Sequence, residues 1–417
     1  MKNEGEVSMK FPSKRSMVTG AVAWVITLAI AMSGTSLVRH SSVASDHRKP
    51  ATWLGSAVPF GGVAFAQSQA KVQMSEQAFK NIKVLKGIPV DEFMGTMGLF
   101  SAALNVCCGD CHTGAGTSNP KWDDDPPRKL RARQMAEMVV NINKGNFGGR
   151  QAVTCWTCHR GISTPSVTPP LDSIYGEPPN SPPDILPAAP PATSGTPPAD
   201  QILDRFVQAL GGAEAVAKLT SYTAKGTGQL FGEVKADPAE IYAKAPNELT
   251  SIIHQREGDQ TRTYDGKNAW VMLPLTVVGK YPLTNSLLEG GKLDAEMAFM
   301  GRIKSFFPSW KVSYPATIDG RDVYVLQGTG IQNFIATFYF DKQTGLLNRM
   351  VRYCNSAVGR VPTQIDYSDY RTVAGVKMPF KWTYGWVSNR EEWTISEIQP
   401  NVSVDSAKFN EPVQRAK

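Results

Sequence analysis

Two pentapeptides carry the residue types best able to do chemistry: Cys108-Gly109-Asp110-Cys111-His112 and Cys155-Trp156-Thr157-Cys158-His159. Each reads C-x-x-C-H. Within one turn of chain, that spacing sets two thiols on one edge and an imidazole just beyond them. The thiols can add across the vinyl groups of a porphyrin while the imidazole ligates its iron, so the pattern is that of covalent haem c attachment. With 6 Cys and 5 His in 417 residues, a single chance match is expected at roughly 0.001. Here there are two. Zinc would draw four ligands from both motifs, but neither zinc nor a disulfide requires a His directly after the second Cys. The expected cofactor is two covalently attached c-type haems, held by Cys108, Cys111, Cys155 and Cys158, with His112 and His159 on the iron.

Helices must position these motifs. Phe93, Met97, Phe100 and Leu104 recur at helical spacing ahead of the first motif, with Asp91 expected as N-cap after Pro89. Gly95 and Gly98 each cost about 1 kcal/mol relative to Ala in a helix. Beside Met97 they would either let a flat ring approach the backbone or simply be tolerated. A loop then ends in Asp123-Asp124-Asp125-Pro126-Pro127, a helix start. The next helix carries Met135, Met138, Val139 and Ile142 on one face and stops at Lys144-Gly145. A Met-bearing helix, a loop and C-x-x-C-H thus occur twice, which predicts two similar haem sites in a small, mostly-α dihaem cytochrome c domain.

The stretches DEFMGTMGLFSAALNVCCGDCH and RKLRARQMAEMVVNINKGNFGGRQAVTCWTCHRG, with NIKVLKGIPVDEF ahead of them, resemble the first two haem sites of the tetrahaem cytochrome subunit of photosynthetic reaction centres. The resemblance covers Asn81 to Gly161. It implies that Met97 and Met135 are the sixth iron ligands and that Met138 is not. Full His/Met ligation would leave no open coordination position and favour electron transfer over catalysis at iron. Only two motifs are present, and Cys107 adds a thiol beside Cys108, so a stand-alone dihaem relative is expected ahead of a reaction-centre subunit.

The chain around this segment divides by composition. Residues 1–66 hold seven Lys/Arg against three Asp/Glu, and the uncharged run Met17 to Met32 follows Lys10, Lys14 and Arg15. That is a positive n-region before an apolar h-region, either an export signal cut after Ala64-Phe65-Ala66 or an uncleaved helix that anchors the chain to the inner membrane. Either way the remainder is expected in the periplasm, where c-type haem is attached. Residues 67–163 form the haem segment. Residues 164–199 form a Pro-rich linker, expected to be an extended, semi-rigid spacer on which the haem domain reaches its partners. A net charge of +7 with no dense basic stripe interleaved with aromatics speaks against nucleic acid.

Residues 200–417 form the second domain. An amphipathic helix is predicted over Asp200–Leu210 with Asp200 as N-cap. The period then shifts to two, and closely spaced strands with Asp265-Gly266, Asp319-Gly320 and Ala374-Gly375 turns predict an antiparallel meander. Leu283 to Phe307 has helical spacing and interrupts it, in the manner of a lid. TYDGKNAWVM, FYFDKQTGLLNRMVRY and TQIDYSDYRTVAGVKMPFKWTY resemble the periplasmic lipoprotein-carrier (LolA-like) family. That resemblance implies an α+β antiparallel half-barrel whose concave face either holds an apolar ligand or lipid, or is filled and used for docking. Cys107 and Cys354 are left over as free buried thiols or a disulfide. Arg160 is a candidate for a haem propionate, Trp156 for the haem edge, and His254 is expected to be an ordinary satisfied side chain.

The expectation is therefore an exported multidomain, non-enzymatic dihaem cytochrome that relays single electrons between redox protein partners. Two alternatives stay open: a hydrophobic-ligand carrier with haem-based redox sensing, and a haem subunit of a larger oxidoreductase or reaction-centre complex.

Overall fold

A computed structural model describes residues 71–168, 184–186, 195–274 and 276–413. They fall within one compact unit. The export segment expected over 1–66 lies outside the described residues. No helix among the described residues is long and apolar enough to cross a membrane.

Four helices make up the haem segment: α1 (Ser75–Ala78), α2 (Val90–Leu104), α3 (Pro127–Asn146) and α4 (Cys155–His159). Pro126 and Pro127 open α3, as the sequence predicts. Asp91 does not cap α2, since that place is taken by Pro89. Helices α5 (Ala199–Leu210), α6 (Ala213–Lys218) and α7 (Asn285–Glu296) belong to the second half. There Pro198, rather than Asp200, precedes the first helical turn. A 3-10 stretch, Met297–Ser305, continues α7.

The strands are β1 (Ser221–Leu230), β2 (Asp237–Lys244), β3 (Glu248–Gln255), β4 (Gly258–Tyr264), β5 (Ala269–Met272), β6 (Lys280–Pro282) and β7 (Ser309–Val312). They continue as β8 (Ala316–Ile318), β9 (Arg321–Thr329), β10 (Ile335–Asp341), β11 (Leu347–Ser356), β12 (Gly359–Val373), β13 (Val376–Trp386) and β14 (Asn389–Pro400). All pair antiparallel in one open sheet ordered β6-β5-β4-β3-β2-β1-β14-β13-β12-β11-β10-β9-β7, with β8 against β9. Two meanders therefore run outward from the β1–β14 pair.

Alternation decides which side chains face the helices. From β9, β10 and β11, Leu326, Phe338, Phe340 and Met350 pack with Ile202, Leu203 and Phe206 of α5. Their sequence neighbours Val325, Tyr339 and Val351 form a separate cluster on the other face. Strand β10 is buried at every residue because both faces are covered, which is why it reads as a continuous apolar run.

Two contacts differ from the picture of a spacer joining independent domains. First, the Pro-rich stretch is pinned at Asp184–Leu186. Leu186 is buried among Val323, Val325, Ile335 and Tyr353. Gln327 Nε2 donates to the Asp184 carbonyl at 2.9 Å, and Arg360 pairs with the Asp184 carboxylate at 2.6 Å. Second, α2 packs directly on the sheet. Leu99, Ala103, Ala136 and Cys155 share a buried cluster with Val358 of the β11–β12 turn, and Gln151 Nε2 donates to the Ser356 carbonyl at 2.6 Å. The haem segment is docked onto the sheet.

Gly98 serves this docking, whereas Gly95 leaves ordinary room against the sheet. A Cβ at Gly98 would lie 2.7 Å from Val387, whereas one at Gly95 would meet Val361 at an ordinary 3.6 Å. The two substitutions should therefore differ in sign. Gly98→Val is expected to cost about 1–3 kcal/mol through overpacking, and Gly95→Ala to gain up to about 1 kcal/mol of helix propensity. Denaturant midpoints of the two variants measure both.

Candidate functional site

In the first motif, a 3-10 turn spans Cys108–Asp110, and the backbone N–H of His112 donates to the Cys108 carbonyl at 2.9 Å. Asp110 tightens the turn: its carboxylate accepts from the Cys107 N–H at 2.9 Å and from Arg128 at 3.0 Å. The second motif is α4 itself, and Arg160 ends it in a left-handed conformation. The first motif is exposed at Cys108, as is the neighbouring Cys107, and partly covered at Cys111. In the second, Cys155 is buried and Cys158 exposed. Burial pushes the Cys155 thiol up to about 11.

The two imidazoles are held differently. His159 Nδ1 lies 3.0 Å from the Ile162 carbonyl. A carbonyl can only accept, so Nδ1 carries the proton and Nε2 presents its lone pair, the usual way a protein orients a metal-binding ring. The His112 ring packs on Trp122 at 5.2 Å, and its Nδ1 is buried with no hydrogen-bond partner among the described residues. Burial, reinforced by nearby Lys129, lowers its proton affinity. It therefore stays neutral, the form that ligates.

Met97 lies on α2 and Met135 on α3, both half-buried, while Met138 is exposed. The stripe Phe93, Met97, Phe100 and Leu104 stays half-open, because α2 turns Asp91, Gly98, Leu99 and Ala103 inward instead. A helix with one face buried in protein and a second apolar face half-open has surface left for something else to cover. These features fit a haem: free thiols, neutral imidazoles, thioethers and a half-open apolar stripe. Zinc fits poorly, since no group of three or more His, Cys, Asp or Glu converges on a common point among the described residues.

Other expectations are settled by position. Cys354 is buried and Cys107 is exposed, and both are free, so no disulfide joins them and only one of the two is a buried thiol. Trp156 is about half exposed. His254 is satisfied by Asp259 at 2.9 Å.

A cavity of about 340 Å³ lies between the sheet and the α7 region. Trp270, Met297, Tyr367 and Trp382 are among its apolar lining, and Met94 and Gly95 of α2 form part of its wall. Charged residues also line it. Arg352 makes two bonds to Asp294, at 2.8 and 3.0 Å, and Nη2 also donates to Tyr384 Oη at 2.7 Å. Arg262 makes two bonds to the fully buried Glu391, at 2.6 and 2.9 Å, with its guanidinium 4.6 Å above the Tyr384 ring. The sequence analysis missed this network. Its one legible signal was Arg352, which occupies the same face of β11 as Met350 and Cys354.

Asp91 is the remaining charged residue here, 3% exposed. Instead of capping its own helix, it accepts from the Thr284 N–H at 2.5 Å and from Thr284 Oγ1 at 3.0 Å, at the start of α7. Burial pushes its pKa up to about 6, against the opposing pull of Thr284. The titratable groups around it are Glu92 on α2, Tyr281 on β6 and Cys354 on β11. A carboxylate that holds its proton longer when folded costs stability as pH rises through the window between its unfolded and folded values. The Asp91→Asn variant should therefore gain on the parent by roughly 3 kcal/mol between about pH 4 and 6 and hold a constant difference above that. Unfolding free energies measured across that range check it.

With this geometry in hand, the comparisons can be placed. Residues 43–171 match the family model of the photosynthetic reaction centre cytochrome C subunit. This region is reaction-centre-cytochrome-like. The family implies covalently bound c-type haem. The match begins inside the stretch assigned to export and extends beyond Asn81–Gly161 at both ends. The reaction-centre cytochrome c subunit of Roseobacter denitrificans is 29% identical over 116 residues, 25% of this chain and 31% of the relative. That of Rubrivivax gelatinosus is 34% identical over 95 residues, 22% of this chain and 25% of the relative. The chain thus spans less than a third of the length of these relatives. Among solved structures, a LolA superfamily protein from Nitrosomonas europaea is similar at 15% identity and a TM-score of 0.34, over 52% of this chain and 98% of that one. A DUF1329 family protein from Desulfovibrio piger is similar at 14% identity and a TM-score of 0.36, over 52% of this chain and 98% of that one. The antiparallel open sheet itself rests on the strand pairings described above.

Proposed function

We propose that this is an exported, periplasmic dihaem c-type cytochrome that relays single electrons between redox protein partners and is not itself an enzyme. Its ligand pairs are His112 with Met97 and His159 with Met135. One observation carries this: each C-x-x-C-H turn follows a Met-bearing helix, and α2 leaves the apolar stripe around Met97 half-open. When bound, the haem supplies a one-electron couple. The chain's own residues attach it by four sulfurs, orient two imidazoles and fill both axial positions, so that no small molecule reaches the iron. The first test is the intact mass of the exported protein together with a pyridine haemochrome assay, expected to give two haems per chain. Carbon monoxide is the second, expected to leave the reduced spectrum unchanged. A polypeptide of bare mass would end this reading.

The cavity serves as a site for an apolar ligand. A second reading, in which such a ligand is sensed at the haem, is favoured by α2, because the helix that carries Met97 also lends Met94 and Gly95 to the cavity wall. A change in the haem spectrum when a neutral apolar probe such as N-phenyl-1-naphthylamine is added would select it.

A further inference from the structure

Two of the cations that line the cavity are buried, and the third, Lys377, is exposed. Both buried guanidiniums are committed, Arg262 to Glu391 and Arg352 to Asp294. Asp91 faces the cavity, is almost wholly buried, and forms no ion pair among the described residues. Thr284 supplies hydrogen bonds from its N–H and its hydroxyl and the Glu92 backbone a further one, while an ionised carboxylate offers about four acceptor positions. At Asp91 the wall therefore holds a buried carboxylate with no cation against it, at the start of α7.

We propose that the cavity binds a single-chain apolar molecule whose head is a hydrogen-bond donor without negative charge, a long-chain alcohol or amine, seated against Asp91. This rests on the cavity being an apolar-ligand site. At about 340 Å³, it lies at the small end of ligand pockets and suits one chain, not two. An alkyl carboxylate is disfavoured at this point, since a second carboxylate beside Asp91 would be a like-charge contact in a dry site.

The test uses the full-length, haem-loaded protein with N-phenyl-1-naphthylamine as fluorescent probe. Dodecanol, dodecylamine and dodecanoate compete with it at a pH where dodecanoate is ionised. The alcohol and amine are expected to displace the probe at concentrations at least about tenfold below those of the carboxylate, and Asp91→Asn should erase most of that gap. Equal or better competition by dodecanoate, or a preference that survives Asp91→Asn, overturns the proposal while leaving the apolar site standing. No probe uptake at all removes the apolar-site reading and the proposal with it. Should Asp91→Asn fail to fold, Met94→Trp fills the wall without touching the carboxylate. It is expected to abolish uptake, and undiminished uptake there would place the probe elsewhere and sink the assignment.

Discussion

Replacing Cys108 and Cys111 together by Ala should halve the haem per chain, and replacing Cys155 and Cys158 should do the same from the other side. Each pair sits in its own turn, with its own imidazole, so the two attachments are expected to fail independently. Their structural costs should differ. Cys155 is buried with Leu99, Ala103, Ala136 and Val358 where the haem segment meets the sheet, whereas Cys108 is exposed. Loss of the second pair should therefore lower thermal stability as well, and loss of the first much less. Haem stain, intact mass and melting curves together separate the two effects. The axial assignments follow the same logic. Met97→Ala and Met135→Ala should each leave haem attached, open a sixth position to carbon monoxide and lower one of the two reduction potentials. Parent-like spectra and titrations in both variants would remove Met97 and Met135 from the iron.

Asp294→Ala is expected to be the most destabilising single change in the second half of the chain, at about 3–5 kcal/mol. It strands Arg352, which is 5% exposed, with only the neutral Tyr384 hydroxyl and Cys354 sulfur beside it. An uncompensated buried guanidinium costs far more than the net worth of the pair it belonged to. Tyr384→Phe removes one hydrogen bond from the same network and should cost only about 1 kcal/mol. Urea midpoints compare the two directly, and equal effects would mean that water reaches Arg352 when its partner is lost.

Much of this architecture was legible because its physics is local. The continuous apolar run from Phe334 to Phe340 predicts β10 to within a residue, Leu346 to Tyr353 predicts most of β11, and Asp123 to Pro127 marks the start of α3. Strands β6 and β8 escaped because three residues cannot display a period. Other misses share a different cause, since a sequence does not say which way a helix faces. Gly95 and Gly98 read either as room for a ring or as merely tolerated, and they lie against Val361 and Val387. Asp91 has the composition of an N-cap, yet its carboxylate reaches a helix that starts nearly two hundred residues later. Leu186 is one apolar residue in a Pro-rich tract, too little to signal a docking point, and its burial follows only from the cluster waiting for it on the sheet. Of the candidate site, the attachment residues could be read directly. The cavity and its ion pairs could not, because Arg262, Asp294, Arg352 and Glu391 meet only once the sheet has curled.

The clip at Asp184–Leu186 bears on how the two halves depend on each other. Continuity of the backbone between Thr168 and Asp184 is not what holds them side by side, because the interface of α2, Gln151 and the β11–β12 turn does so without it. A chain nicked in that interval should still migrate as one particle. The cytochrome-like piece and the sheet could then be supplied as separate polypeptides that find each other, with haem ligation completed on one partner before the other arrives.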